Sequence, residues 1–392
     1  MSVIGIVCEF NPFHKGHKYL IDSVKKQGDT VVCVMSGNFV QRGEPALFTK
    51  ESRVKAALLN GADIVLELPF VYATASAEIF AYNAVKILNC FGCEKLAFGA
   101  ESADVLTLYK AVGILERKDF DTKIKRYLEE GISYPVARHC AFDEYNTDCD
   151  ISTPNNILAL EYVKALNKLN SKMIPVPVTR IGAGYNDTEV LDGIASATHI
   201  RKLINNGEYF SDFVPENTLD LYNEALKNSR FVSIEKYNLA VQSLLRSKLD
   251  EDLSYIANMA EGLENRITSA IKESTSLEEI YDKAKTKRFT HSRIRRAVLS
   301  LTFGVTADDL KIPAPYCRLL GFNIASAKIM GKLAANSKLP FVASYSDILN
   351  LMSPDAERVF DLENKAGDFY SLIMQIGTEC SKEMTFTPIK MK

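Results

Sequence analysis

The sequence predicts an α/β chain, with a parallel sheet built by residues 1–213 and a mainly helical second part over residues 214–392. Three observations carry this. Short β-branched runs alternate with helical patterns through the first half, as βαβ units with right-handed crossovers do. The first run, Val3-Ile-Gly-Ile-Val7, is apolar at successive positions, which suits a strand buried on both faces of a parallel sheet. Beyond Val214-Pro215-Glu216 almost every segment has helical spacing instead. A chain of 392 residues is also too long for one ordinary core, so two domains are expected.

After the first strand, Asn11-Pro12 punctuates the chain, because proline fixes φ and cannot donate to a ladder. Leu20, Ile21 and Val24 then return at helical intervals, placing Gly16 and His17 in the first turn of a helix. His14 and His17 converge there, where unpaired N–H groups and the positive dipole end favour an anion such as phosphate. Gly16 has no Cβ to keep a polyphosphate away. Two of only five histidines stand at this junction, which argues against incidental surface residues.

Thr30-Val-Val-Cys-Val-Met35 reads as the second strand, with a polar loop, Ser36 to Pro45, at its carboxyl end, where ligands of open α/β sheets bind. Thr49 caps a helix running through Asn60, with Val54, Ala57 and Leu58 inward and Gly61 as its stop. Asp63–Leu68 and Lys95–Phe98 are further strands, separated by an alanine-rich helix from Ala75 to about Leu88. Gly99-Ala-Glu-Ser102 is either a close approach to a nucleotide or a plain strand-to-helix turn. Asn155 and Asn156 precede a helix through Leu160, Val163 and Leu166, and either amide suits its cap or a base. Met173–Val178 ends in Thr179-Arg180, an arginine placed to meet phosphate or carboxylate. Ser196-Ala-Thr-His-Ile-Arg201 opens another helix with hydroxyls and a cation, again suited to phosphate.

In the second half, Ile256, Met259, Leu263, Ile267 and Ile271 fall at intervals of three and four and predict one buried helix face. Lys283 to Arg296 carries seven Lys/Arg and no acid, so Lys287, Arg288, Arg293, Arg295 and Arg296 form either an RNA-binding surface or a solvated face. A hydrophobic fraction of 47% and a charged fraction of 24% are those of an ordinary globular protein. No apolar stretch reaches membrane-spanning length and no signal peptide precedes the first strand, so a cytoplasmic protein with no membrane partner is expected. The eight scattered cysteines read as reduced thiols. Cys90-Phe-Gly-Cys93 is a lone C-x-x-C that suits a helix-to-strand turn better than zinc, and no metal site is predicted.

Glu9-Phe-Asn-Pro-Phe-His-Lys-Gly-His17, Met35-Ser-Gly-Asn-Phe-Val-Gln-Arg-Gly-Glu-Pro45, Pro154-Asn-Asn-Ile-Leu158, Arg180-Ile-Gly-Ala-Gly-Tyr185 and Ser196–Arg201 together resemble the bacterial tRNA(Met) cytidine acetate ligases, in that family's order. The His-x-Gly-His pattern is shared across the nucleotidyltransferase superfamily; the Ser36–Pro45 loop is much narrower and decides the resemblance. It continues more thinly into the second half, as in Tyr316-Cys-Arg-Leu-Leu-Gly-Phe-Asn323.

The resemblance implies a Rossmann-like nucleotidyltransferase domain that uses ATP to turn acetate into acetyl-adenylate. The acetyl group then passes to N4 of the wobble cytidine, position 34, of elongator tRNA(Met). The matching nucleotide-site positions are Val7, Cys8, Glu9, Phe10, Asn11, Pro12, Phe13, His14, Lys15, Gly16, His17, Lys18, Tyr19 and Leu20, with Gly99, Asn155 and Arg180 as later contacts. His14, His17 and Lys18 are the expected catalytic residues, joined by Arg201 in neutralising charge that grows on the leaving pyrophosphate. Mg²⁺ is expected with the triphosphate. The alternatives are a small-molecule adenylyltransferase of the nicotinate-mononucleotide or phosphopantetheine type and a nucleotide-binding regulator without catalysis; both histidines and the basic segment weigh against them.

Overall fold

The computed structural model describes residues 1–101, 104–132, 134–145, 149–151, 153–180, 193–249 and 252–392. Its centre is a sheet with the strands β1 (Val3–Cys8), β2 (Thr30–Ser36), β5 (Ile64–Leu68), β6 (Lys95–Ala100), β7 (Ile174–Thr179), β8 (Cys317–Asn323), β9 (Phe341–Val342) and β10 (Ile389–Met391). Two short strands, β3 (Phe39–Val40) and β4 (Glu44–Pro45), form an antiparallel hairpin after β2. Across the sheet the order is β10-β8-β5-β2-β1-β6-β7, with β9 beside β8. β5, β2, β1, β6 and β7 are parallel neighbours, as the β-branched runs predict.

Side chains alternate between two apolar layers with the two-residue period of a strand. Val3, Val32, Val34, Ile64 and Leu66 face helices Ala77–Phe91 and Pro154–Lys168. Ile4, Ile6, Val31, Cys33 and Val65 face helices Lys15–Val24, Lys50–Leu59 and Glu216–Lys227. Each aliphatic side chain so buried contributes about 1.5–3 kcal/mol. Packing is close enough to dictate Gly5, where a Cβ would lie 2.8 Å from Leu88 Cδ1.

β1 sits at the middle, and the chain builds outward first through β2 and β5, then on the other side through β6 and β7. The reversal between β1 and β6 is a topological switch point, and the crevice at the strands' carboxyl ends there is where open α/β sheets bind ligands.

The second half is mostly helical but also extends this sheet. β8 pairs antiparallel with β5, with a bulge between Val65 and Leu66, and β10 pairs parallel with β8. The Ile256–Ile271 stripe is buried as expected, but the helix begins only at Leu263. Asn258, Glu261 and Gly262 take positive φ (65°, 65° and 86°), so Ile256 and Met259 reach the core from turns. No helix among the described residues is long and apolar enough to cross a membrane.

Candidate active site

The loop from β1 into helix Lys15–Val24 is held from every side. Phe10 adopts φ of 49°, unusual for a bulky residue and of order 1–3 kcal/mol in cost, within an aromatic group formed with Phe13 (4.8 Å) and His17 (5.0 Å). Asn11 Oδ1 accepts from Leu47 N at 2.8 Å, and its carbonyl accepts from Arg201 Nη1 at 2.8 Å. The Phe13 N–H donates to the Tyr222 hydroxyl, whose ring stacks on Phe48 at 4.4 Å. Phe10, Asn11 and Phe13 are therefore buried in the scaffold, and Lys15 is exposed.

His14 is the N-cap of the helix and is buried, 5% exposed. Its Nδ1 accepts from Gly16 N (3.0 Å), while His17 Nδ1 accepts from His14 N (3.2 Å), a reciprocal capping box that brings the rings to 3.8 Å. Some of the N–H groups expected to await an anion are thus taken by the histidines themselves. With both Nδ1 atoms accepting, each neutral ring carries its proton on Nε2. Burial, then the charges of Arg180 and Arg201, pulls His14 down to about 3. Burial and His14 lower His17 well below the ordinary histidine value. Both rings are therefore neutral near neutral pH rather than cationic.

Gly99 is the penultimate residue of β6, Arg180 follows β7, and Asn155 lies in the first turn of helix Pro154–Lys168, so all three meet at the carboxyl edge beside the histidines. Arg180 Nη1 donates to Asn155 Oδ1 at 2.9 Å, and a Cβ on Gly99 would lie 3.2 Å from Arg180 Cγ. The paired asparagines separate cleanly. Neither caps the helix, because Thr153 does so by accepting from Asn156 N. Asn156 is buried between Glu101 N and the Asp150 carbonyl, whereas Asn155 faces Arg180. Residues 181–185 of the arginine motif, Ser102 and Ser152 lie outside the described residues.

Lys18 turns along its helix to Asp22 at 2.6 Å, and both are partly exposed. The loop after β2 is more buried than its polar composition suggests: Arg53, fully enclosed, donates to the carbonyls of Glu9, Ser36, Gly37 and Phe48. Arg53 and Tyr222 carry the geometry of the site yet belong to no sequence motif read above.

The basic segment divides. Ile294 and Ala297 anchor helix His291–Phe303 in the core, as expected. Arg295 pairs with Glu44, which also meets Arg201 at 3.6 Å, and Arg296 Nη1 reaches the Gln41 carbonyl at 3.4 Å. These two arginines clasp the β3–β4 hairpin. Gly43 has φ of 77° there, and a Cβ would lie 2.8 Å from Arg296 N. Arg288 and Arg293 both pair with Glu261 at 3.1 Å, and Lys287 is exposed.

The whole arrangement has close counterparts. The HIGH Nucleotidyl Transferase family profile matches residues 1–385. A tRNA(Met) cytidine acetate ligase of Acetivibrio thermocellus is 40% identical, covering 94% of each chain. The protein of the same name from Lysinibacillus sphaericus is 36% identical over 94% of this chain and 96% of its own. Among solved structures, Thermotoga maritima TmcAL bound with alpha-thio ATP superposes with a TM-score of 0.91 at 31% identity, covering 100% of this chain and 99% of its own. The apo form gives 0.92 at 32% identity over 100% of both.

Proposed function

The chain belongs to the tRNA(Met) cytidine acetate ligase family of HIGH nucleotidyl transferases, and from that premise we propose that it activates acetate with ATP and acetylates N4 of the wobble cytidine of elongator tRNA(Met). The observation that carries this is the convergence of two neutral Nε2–H donors with Gly99, Asn155 and Arg180 at the switch point of the sheet. An acetate oxygen attacks the α-phosphorus of ATP, and the bond to pyrophosphate breaks with its electron pair on the leaving oxygen. His14 and His17 donate hydrogen bonds to the charge that grows there, and Arg180 and Arg201 supply the cationic field. Lys18 joins the catalytic set by releasing Asp22 when the triphosphate enters.

The segment Val7–Leu20 serves the nucleotide through its backbone and the two histidines, since Phe10 and Phe13 are spent on holding the loop. Mg²⁺ arrives with the triphosphate. The close carboxylates Glu67, Glu363 and Glu383 do not suit it, because Lys50 and Arg318 already fill their centre. Residues 1–213 carry the activation chemistry, with Tyr222 of the second part bracing the loop that bears the histidines, and 214–392 supply the surface toward tRNA; a tRNA-modifying ligase works in the cytoplasm.

The test is acetate-dependent exchange of pyrophosphate into ATP, followed by mass spectrometry of nucleosides from tRNA incubated with ATP and acetate. N4-acetylcytidine confined to elongator tRNA(Met) is expected. Exchange that needs nicotinate mononucleotide or phosphopantetheine instead of acetate overturns the proposal.

A further inference from the structure

We propose that Glu9 is the general base of the acetyl-transfer step, receiving the proton that the cytidine N4 amine loses. This rests on the function proposed above. Glu9 directly follows the last residue of β1, at the switch point and shortly before His14. Its carboxylate is half-buried and uses its oxygens unequally. Oε1 accepts from the Gln41 backbone N–H at 2.6 Å, while Oε2 has no hydrogen-bond partner among the described residues. A group required only to hold the β3–β4 hairpin needs the first oxygen alone.

The second oxygen suits an amine. A carboxylate is the side chain that accepts from cytosine N4, and it can pull a proton from it as well. Cytosine shares its exocyclic lone pair with the ring, so the amine is a poor nucleophile until that proton is drawn away. In the step, the N4 lone pair forms a bond to the acetyl carbonyl carbon. The C–O bond to the adenylate phosphate then breaks, and its electron pair leaves with AMP. The N4 proton passes to Glu9 Oε2 and afterwards to solvent.

The groups acting on Glu9 come from every side: Arg42 of the hairpin, Arg201 of helix Ala197–Asn205, Arg53 of helix Lys50–Leu59, Tyr162 of helix Pro154–Lys168, and Cys8 of its own strand. Burial outweighs the Gln41 hydrogen bond and the arginines and raises the carboxyl above its ordinary value.

The experiment supplies synthetic acetyl-adenylate and elongator tRNA(Met), bypassing activation, and follows N4-acetylcytidine formation in single turnover from pH 5 to 9. The wild-type rate should rise with pH as Glu9 loses its proton and then level off. Glu9→Gln, which keeps an acceptor for Gln41, should lose at least ~10²-fold and that pH dependence together, and Glu9→Asp should recover part of both. Thermal unfolding checks that each variant is folded. A folded Glu9→Gln protein that transfers at the wild-type rate with the wild-type profile overturns the assignment. So does one that loses adenylate formation and transfer by the same factor, which marks a role in nucleotide binding. A wild-type protein that makes acetyl-adenylate but never acetylates tRNA overturns the proposed function and this step with it.

Discussion

His14 and His17 hold no proton to lose in the usual histidine range, because burial disfavours both imidazoliums, joined by Arg180 and Arg201 at His14 and by His14 and Arg180 at His17. Adenylate formation by the wild type should therefore show no acid limb near pH 6.5, the ordinary histidine value. His14→Ala or His17→Ala should lower its turnover about 10²-fold or more, with a much smaller change in ATP affinity. A limb at pH 6 to 7 that vanishes in the His14 variant contradicts the neutral-donor role, and a loss wholly in ATP binding contradicts the transition-state role. The sequence showed the place of these residues but not their charge. Spacing brings rings together; protonation depends on burial and on Arg180 and Arg201, which are distant along the chain. The Asn155–Asn156 pair was ambiguous for the same reason, since the fold alone decides which amide Glu101 and Asp150 enclose.

At the scale of elements, β1, β2, β5, β6 and β7 were legible because each is an apolar run bounded by turn residues, and helices such as Lys50–Leu59 and Ala197–Asn205 because Thr49 and Ser196 precede apolar spacing, whereas the helices Val105–Leu115, Lys118–Glu129 and Tyr134–Asp143 were not read. β8 was not, because seven residues of mixed character do not separate strand from helix. One signal was present. Glu67 interrupts the apolar strand Ile64–Leu68, and an acid buried there requires a partner. The partners are Lys50 at 2.5 Å and Arg318 of β8 at 2.8 Å, joined by Glu363 and Glu383 in a cluster that ties β5, β8, helix Pro354–Ile373 and the segment before β10 together.

Three carboxylates share two cations in that cluster. Burial and the neighbouring Glu67 raise Glu363 to about 8, whereas Arg318 and Lys50 overcome burial and hold Glu67 near 2. A carboxyl whose folded value is raised contributes its full stability below its unfolded value of 4.5 and loses it as pH rises through 8. The Glu67 contribution has the opposite sign and is lost only as pH falls through about 2. Between pH 5 and 8, then, Glu363 is the member that weakens the fold. Chemical denaturation should show the wild type's advantage over Glu363→Gln shrinking steadily as pH is raised across that window. A difference that stays constant with pH means that Glu363 is ionised throughout.

Over the whole molecule, periodicity speaks to a segment's type and not to its neighbours, so strand order and the docking of the second half were beyond spacing arguments. The basic segment shows the consequence. Read as sequence, five of its seven cations, Lys287, Arg288, Arg293, Arg295 and Arg296, form one dense patch; in the fold they divide, with Arg293 sharing Glu261 with Arg288. Arg295 and Arg296 turn inward to the β3–β4 hairpin, where Glu44 and the Gln41 carbonyl receive them. Reversing them removes the clasp on a loop that adjoins Glu9 and Arg201, so Arg295→Glu should impair adenylate formation and stability even without tRNA. Lys287 and Arg288 turn outward, and the Glu261 pairing of Arg288 is an exposed one worth about 1 kcal/mol or less, which a phosphate can readily replace. Phosphate contacts give affinity and salt dependence without reading sequence. Lys287→Glu with Arg288→Glu should therefore weaken tRNA binding and lower the slope of log affinity against log salt by about 0.7–0.9 per lost contact, leaving adenylate formation intact. A folded double variant with unchanged affinity and slope places these two residues on a solvated face, and the tRNA surface must then be sought elsewhere.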